Sequence, residues 1–290
     1  MNPKTSGIVA VLTAACLWAV EPILVKFAYR SSDFVATSAV RAVTALTLTG
    51  LCLLRTGGSI RLSRRQVPAV LYLAVVSTIV ADLLYYVALM KVPVVNAVLL
   101  GHLQPVLVVM IGWLILHEDR LTRYDYTGIL IMLVSALLVT SRTPANLLQL
   151  RLGTTGDLMV LAATTGWATT TIVARKYLRD LSSGVLAMYR YSLAAIVFTA
   201  YVLWRDGLPR VNRYQVMVGA LVGVGMILYY YGLRRLKAAQ VSALELASPF
   251  FAALLGAVVL HEPVTGLQGV GIFLLCGGVY FLARHEEAEG

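Results

Sequence analysis

Six ionisable side chains stand inside apolar stretches of this sequence: Glu21, Arg41, Asp82, His102, Arg190 and Glu245. Each would cost roughly 2.5 to 3.5 kcal/mol in hydrocarbon, so it must face a partner or a wet cavity. Asp82 precedes Tyr85 and Tyr86 by three and four residues, which sets a carboxylate and two phenols on one helical face. That grouping could bind an ammonium group or carry a proton; the alternative is an ion pair with Arg41 or Arg190. Glu21 follows Trp18 by three residues and precedes Pro22. It either walls a polar cavity or pairs with Lys26 near a span end. His102, Gln104 and Pro105 head the run LLGHLQPVLVVMIGWLILHE. A proline there leaves the carbonyl one turn back without its donor, which a membrane interior tolerates only beside protein or an aqueous cavity. The head of this run is therefore a candidate binding face, although a lone histidine is more often a satisfied core residue. Glu245, with Ser242 and Pro249 on its face, is the second proton-coupling candidate beside Asp82.

The elements that must position these groups follow from composition. Of 290 residues 59% are hydrophobic and 13% charged, which is far from a soluble globular domain. Apolar runs cover 7–26, 34–54, 68–90, 93–116, 124–141, 157–175, 184–204, 214–233, 238–260 and 266–283. Each is about long enough to cross a ~30 Å hydrocarbon layer as a helix. Short alternating segments of the barrel type are absent. The pattern predicts an all-α integral membrane protein of ten transmembrane helices in a single membrane domain, 1–290.

The net charge of +10 does not point to nucleic acid, because the Lys and Arg residues are scattered among loops rather than gathered on one face. More of them fall on the side of the amino terminus, for example Arg61, Arg64, Arg65, Arg234, Arg235 and Lys237. The positive-inside rule then places both termini in the cytoplasm. The first run holds Glu21-Pro22 and lacks a small-residue cleavage site, so it reads as a retained span. Cys16, Cys52 and Cys276 sit in different runs and imply neither a disulfide nor a metal framework.

The chain also repeats itself. Gly7, Trp18 and Arg41 match Gly156, Trp167 and Arg190; further on Tyr85-Tyr86 match Tyr229-Tyr230, Pro105 matches Pro249, and His117-Glu118 matches His261-Glu262. Two units, 1–142 and 153–285, each hold five spans, so the second enters the membrane from the opposite side. Such inverted repeats enclose a site at mid-depth that either half can open to its own side. The pseudo-symmetry breaks at Asp82: at the offset that pairs Tyr85 with Tyr229 the second half has Met226, next to Gly225, and no acid. Trp18 and Trp167, paired in mid-span, are read with Tyr85, Tyr86 and Tyr230 as the aromatic wall of a pocket; the alternative for each ring is the aromatic belt at a membrane interface. Arg41 and Arg190, symmetric near span starts, suit a structural role, as do Pro105 and Pro249. Gly219-x-x-x-Gly223 would let two helices approach closely. The two His-Glu pairs at span exits read as loop caps and lack the HExxH spacing of a zinc site.

Ten spans in two units, the Arg41/Arg190 pair, and the endings QPVLVVMIGWLILHEDRLT and ASPFFAALLGAVVLHEPVT resemble the EamA-type branch of the drug/metabolite transporter superfamily. Within it the chain is similar to the YddG-like amino acid exporters. Such proteins often carry Glu directly before the proline of the ninth span, whereas here Ser248 precedes Pro249. The resemblance implies an inner-membrane exporter of amino acids or similar small amphipathic metabolites. The substrate-contact candidates are Trp18, Glu21, Asp82, Tyr85, Tyr86, His102, Gln104, Trp167, Tyr230 and Glu245. No nucleotide-binding loop of the GxxxxGK[ST] type is present, so a gradient, of substrate or of protons, must drive transport, and no cofactor is called for. Rival readings are a multidrug or lipophilic-cation efflux carrier and a passive channel. An intramembrane enzyme would need a nucleophile motif or a metal cluster, and neither HExxH nor GxSxG occurs.

Overall fold

The computed structural model describes residues 2–56, 60–89, 91–92, 100–115, 121–141, 143–149, 154–207, 211–251, 254–255 and 264–283. His117, Glu118, His261 and Glu262 lie outside them, as do the side chains of Pro22, Lys26 and Tyr86. Every regular element among the described residues is a helix, and none is a strand. We label α1 Pro3–Ala28, α2 Phe34–Thr56, α3 residues 67–89, α4 Gln104–Ile115, α5 Arg123–Ser141, α6 Thr155–Tyr177, α7 Ser183–Asp206, α8 Arg213–Leu233, α9 Ala238–Glu245 and α10 Gly266–Ala283. A short helix, Pro144–Leu148, links α5 to α6. Several starts are written locally. Asn2 caps α1 ahead of Pro3, and Thr154/Asp157 and Asn212/Gln215 form reciprocal capping boxes on α6 and α8. Thr122/Asp125 and Thr265/Gln268 exchange the same bonds ahead of α5 and α10.

Among the described residues, five helices are long and apolar enough to cross a membrane: Pro3–Glu21, Phe34–Arg55, Val67–Tyr85, Ser183–Asp206 and Arg213–Leu233. A shorter apolar helix runs Gly266–Leu282. Large apolar side chains such as Leu54, Leu114, Leu130, Ile196 and Phe273 face outward, while Ser77, Thr78, Thr164, Gln215 and Ser242 are buried. A lipid solvent favours that arrangement.

The helices run alternately up and down. At one end the start of α1 meets Arg235 and Leu236, and Lys176 Nζ donates to the Ile115 carbonyl at 2.9 Å. At the other, the start of α6 meets Lys91 and Val92, and Asn212 Nδ2 donates to the Ala28 carbonyl at 3.1 Å. The first helices of the two halves thus begin at opposite ends. The packing obeys the same relation. Exchanging each αn with αn+5 maps α1/α8 onto α6/α3, α2/α8 onto α7/α3 and α1/α9 onto α6/α4. It returns α2/α7, α4/α9 and α5/α10 to themselves.

Two of the expected spans are not continuous helices. The fourth is interrupted at His102–Leu103 and the ninth at Leu246–Ala247, each just before its proline. Pro105 and Pro249 cannot donate to the carbonyls of Gly101 and Glu245 four residues back, and each chain tightens into turns instead. Leu103 N–H reaches the Leu100 carbonyl, and Leu246 N–H the Ala243 carbonyl, both three residues back. α3 departs differently. Between the α-helical stretches Val67–Tyr72 and Asp82–Leu89, residues Leu73–Ala81 wind as a π-helix, and Asp82 N–H bonds the Ser77 carbonyl five residues back. Its counterpart α8 runs 21 residues without such a segment. A wide turn of this kind rotates the last part of the helix about its axis, and Asp82 and Tyr85 turn with it.

Small residues let the backbones close up, since lipid supplies no hydrophobic force between helices. A methyl group at Gly219 would lie 2.5 Å from Thr44 Cβ and 2.8 Å from the Arg41 carbonyl. Gly223 packs in the same way on Ala45, so this small-residue pair sets the α2/α8 approach. Gly219→Ala is expected to push α2 from α8 and destabilise the fold by about 1 to 3 kcal/mol. Gly50→Ala, on the partner helix α2, meets nothing within 4 Å and should be neutral or slightly stabilising. Thermal unfolding of the two variants in detergent checks the contrast.

Candidate functional site

Two sets of polar groups lie inside the bundle. In the first, α1, α2, α3 and α6 converge on Arg41. Its NH1 lies 3.3 Å from Glu21 Oε1 and its NH2 3.0 Å from Asp82 Oδ2. The remaining Asp82 oxygen accepts from Trp167 Nε1 at 3.0 Å. The side chains of Arg41, Asp82 and Glu21 are only 7%, 15% and 18% exposed, so water screens the pairs weakly. Of the alternatives for Asp82, the structure adopts the ion pair with Arg41. Glu21 likewise pairs with Arg41. Both carboxylates therefore share one guanidinium.

The second set forms where the broken spans meet. Gln104, at the start of α4, donates from Nε2 to Glu245 Oε2 at 3.1 Å, joining the two halves. Arg190 on α7 is buried and donates from NH1 to Tyr230 OH at 3.5 Å. Asp82 and Glu245 lie within electrostatic range of Arg190 but not at ion-pair distance from it. His102 Nδ1, in the turn before Gln104, and Ser242 Oγ, one turn before Glu245, are buried without a hydrogen-bond partner.

Aromatic rings join the two sets, and here the duplication is geometric. The Tyr85 ring lies 5.2 Å from Trp167, and the Tyr229 ring 5.8 Å from Trp18. Tyr229 also shares a 2.8 Å bond with Thr171 and sits edge-on to Tyr230. Where Asp82 meets the Trp167 ring nitrogen, Gly225 meets that of Trp18: a Cβ added there would fall 2.7 Å away. The break of symmetry read from the sequence is thus a break beside one of two matching tilted ring pairs.

Of the predicted residues, Trp167, Glu21, Asp82 and Tyr85 group around Arg41. Gln104, Glu245, Tyr230 and His102 belong to the second set, with Trp18 beside Tyr229. The side chain of Tyr86 is outside the described residues. Sequence reasoning missed the locks at the two ends. Asp125 accepts from Lys237 Nζ at 2.7 Å and from Gln240, while Gln215 Nε2 donates to Ser32 at 2.7 Å and Thr37 at 3.2 Å. Capping-box spacing before each apolar run was their visible signal.

Arg41→Gln leaves two carboxylates uncompensated and is expected to cost on the order of 3 kcal/mol, read as a lower unfolding midpoint. Adding Asp82→Asn to Arg41→Gln should recover part of that loss. Additive effects in this double-mutant cycle would mean that the two side chains do not interact.

Comparison with known proteins agrees with this architecture. The EamA-like transporter family matches the chain twice, over residues 5–141 and 154–284. An uncharacterized transporter of Methanothermobacter thermautotrophicus is 26% identical over 227 residues, 77% of this chain and 66% of that protein. One of Synechocystis is 27% identical over 219 residues, 71% and 62% of the two chains. One of Archaeoglobus fulgidus is 23% identical over 286 residues, 96% and 98% of the two. The match thus spans a little under two thirds of the first two relatives and nearly all of the third. A solved crystal structure superposes with a TM-score of 0.79 over 96% of both chains at 19% identity, a likeness of fold alone. The chain belongs to the EamA-like transporter family of the drug/metabolite transporter superfamily.

Proposed function

We propose that this membrane transporter exports amino acids or similar small amphipathic metabolites across the inner membrane by alternating access, with ten spans arranged as two inverted repeats, 1–142 and 153–285. One observation carries the reading. The two helix breaks, before Pro105 and Pro249, are pseudo-symmetric, and the Gln104–Glu245 bond bridges them within the bundle. Irregular backbone inside a membrane belongs where it lines a cavity, and transporters bind substrate between repeats at interrupted helices. Charges of both signs stand close by, as an amphipathic zwitterion requires. Rocking of one half against the other would break the locks at Asp125–Lys237 and Gln215–Ser32 in turn. Both termini are then cytoplasmic.

Counterflow in proteoliposomes tests the reading. A labelled amino acid should accumulate transiently against its unlabelled form; a passive channel would show no overshoot, and overshoot confined to lipophilic cations would favour drug efflux. Impermeant labelling of single cysteines at positions 56 and 206 tests the inversion: the two should react from opposite sides of the membrane.

Protons are the coupling ion in this reading, and Glu245 carries them. Its hydrogen-bond partner Gln104 is neutral, and Arg190, Tyr229 and Tyr230 are the titratable groups within electrostatic range. Asp82, tied to Arg41, is the second candidate. Glu245→Gln is expected to flatten the pH dependence of efflux. An unchanged profile would remove Glu245 from this role.

A further inference from the structure

We infer that Arg190 is the receptor for a carboxylate on the transported molecule, and that its symmetry mate Arg41 is not. The inference rests on the transport reading above and deepens it by assigning the charged ends of the substrate.

The two arginines occupy matching positions in matching helices, and the sequence treats them alike. Their surroundings differ. Arg41 holds two carboxylates, Glu21 and Asp82, at 3.3 and 3.0 Å. Among the described residues no carboxylate lies within hydrogen-bond or ion-pair distance of Arg190. Its NH1 has one long bond, 3.5 Å, to Tyr230 OH, and its Nε is buried without a partner. A guanidinium carries five donors and cannot shed its charge. Burying one without an anion is among the costliest arrangements in a protein interior. Buried donors left unmade call for an explanation, and a planar carboxylate is the anion that the guanidinium fork accepts.

The groups within range complete a zwitterion site. Glu245 is close enough to feel the Arg190 charge, yet it bonds to Gln104 rather than to Arg190. Glu245 Oε2 takes the Gln104 amide, and no hydrogen bond to Oε1 occurs among the described residues. Ser242 Oγ, one turn earlier on α9, is likewise buried and unpartnered. A molecule carrying a carboxylate and an ammonium would place the first on Arg190 and the second toward Glu245. The aromatic rings of Trp18, Tyr229 and Tyr230 then meet its apolar part. Gly225, which takes the place of an acid beside Trp18, keeps a competing internal anion away from this half.

The test uses the full chain in detergent and in proteoliposomes, with L-leucine and L-phenylalanine as probes and their carboxamides and decarboxylated amines as controls. The amino acids should raise the unfolding midpoint and drive counterflow, while amides and amines do neither. Arg190→Gln should weaken the amino acids by about tenfold or more, and Arg190→Lys should restore part of that loss. Without ligand, Arg190→Gln should keep or raise the unfolding midpoint, because it removes a buried charge that has no ion-pair partner among the described residues. Equal responses to acid and amide, or undiminished amino acid binding in Arg190→Gln, would overturn the inference while leaving transport intact. A marked fall in ligand-free stability would also overturn it, by showing that Arg190 holds the fold. If none of the amino acids bind, the inference fails, and counterflow of tetraphenylphosphonium then decides whether the carrier reading survives.

Discussion

A proline within an apolar span removes a backbone donor where no water stands ready to replace it, and the structure is organised around two such positions. At Pro105 and Pro249 the fourth and ninth spans break into turns, and the freed segments meet through Gln104 and Glu245. Polar atoms of His102 and Ser242 collect at the same place. Outward faces stay apolar, so the break is tolerated only inside the bundle, between the halves. That position makes it a site. Backbone chemistry, rather than any single side chain, decides where the polar interior lies.

Around this centre the scaffold keeps its pseudo-symmetry and the charges abandon it. The principal helix pairings exchange between halves, and each tryptophan packs at a tilt against a tyrosine of the opposite half. Arg41, however, is paired with two acids of its own half, while among the described residues no acid lies at ion-pair distance from Arg190. In the proposed transport cycle, matching packing would let the two halves exchange roles, and the charged residues would supply the asymmetric contacts that an asymmetric molecule requires. The π-helical segment of α3 belongs to the same division. It occurs in the first half alone among the described residues and sets the register of Asp82, the acid that the second half lacks.

Much of this was legible in the amino-acid sequence. Hydropathy marked apolar runs, five of which are helices long and apolar enough to cross a membrane among the described residues, and the repeated tryptophans and tyrosines marked rings that pack in matching pairs. Partnerships were harder to read. Periodicity places Asp82, Glu21 and Arg41 at depths along their own helices but says nothing of how those helices turn toward each other, so the ion pairs stayed open among alternatives. The same gap made Arg41 and Arg190 look equivalent. The breaks at His102–Leu103 and Leu246–Ala247 were visible only as prolines, because a helical pattern continues across a turn without changing its apolar composition. The locks at Asp125 and Gln215 were hidden for another reason: each residue caps its own helix, and that local bond explains the sequence spacing without the distant partner.

The central claim is a polar site between inverted halves that opens to each side in turn. The most direct measurement places a single cysteine at His102, in a background without Cys16, Cys52 and Cys276, and follows its reaction with an impermeant maleimide added to one side or the other. The account predicts reaction from both sides, with substrate shifting the two rates in opposite directions. Reaction from one side only, whatever the substrate, would contradict it.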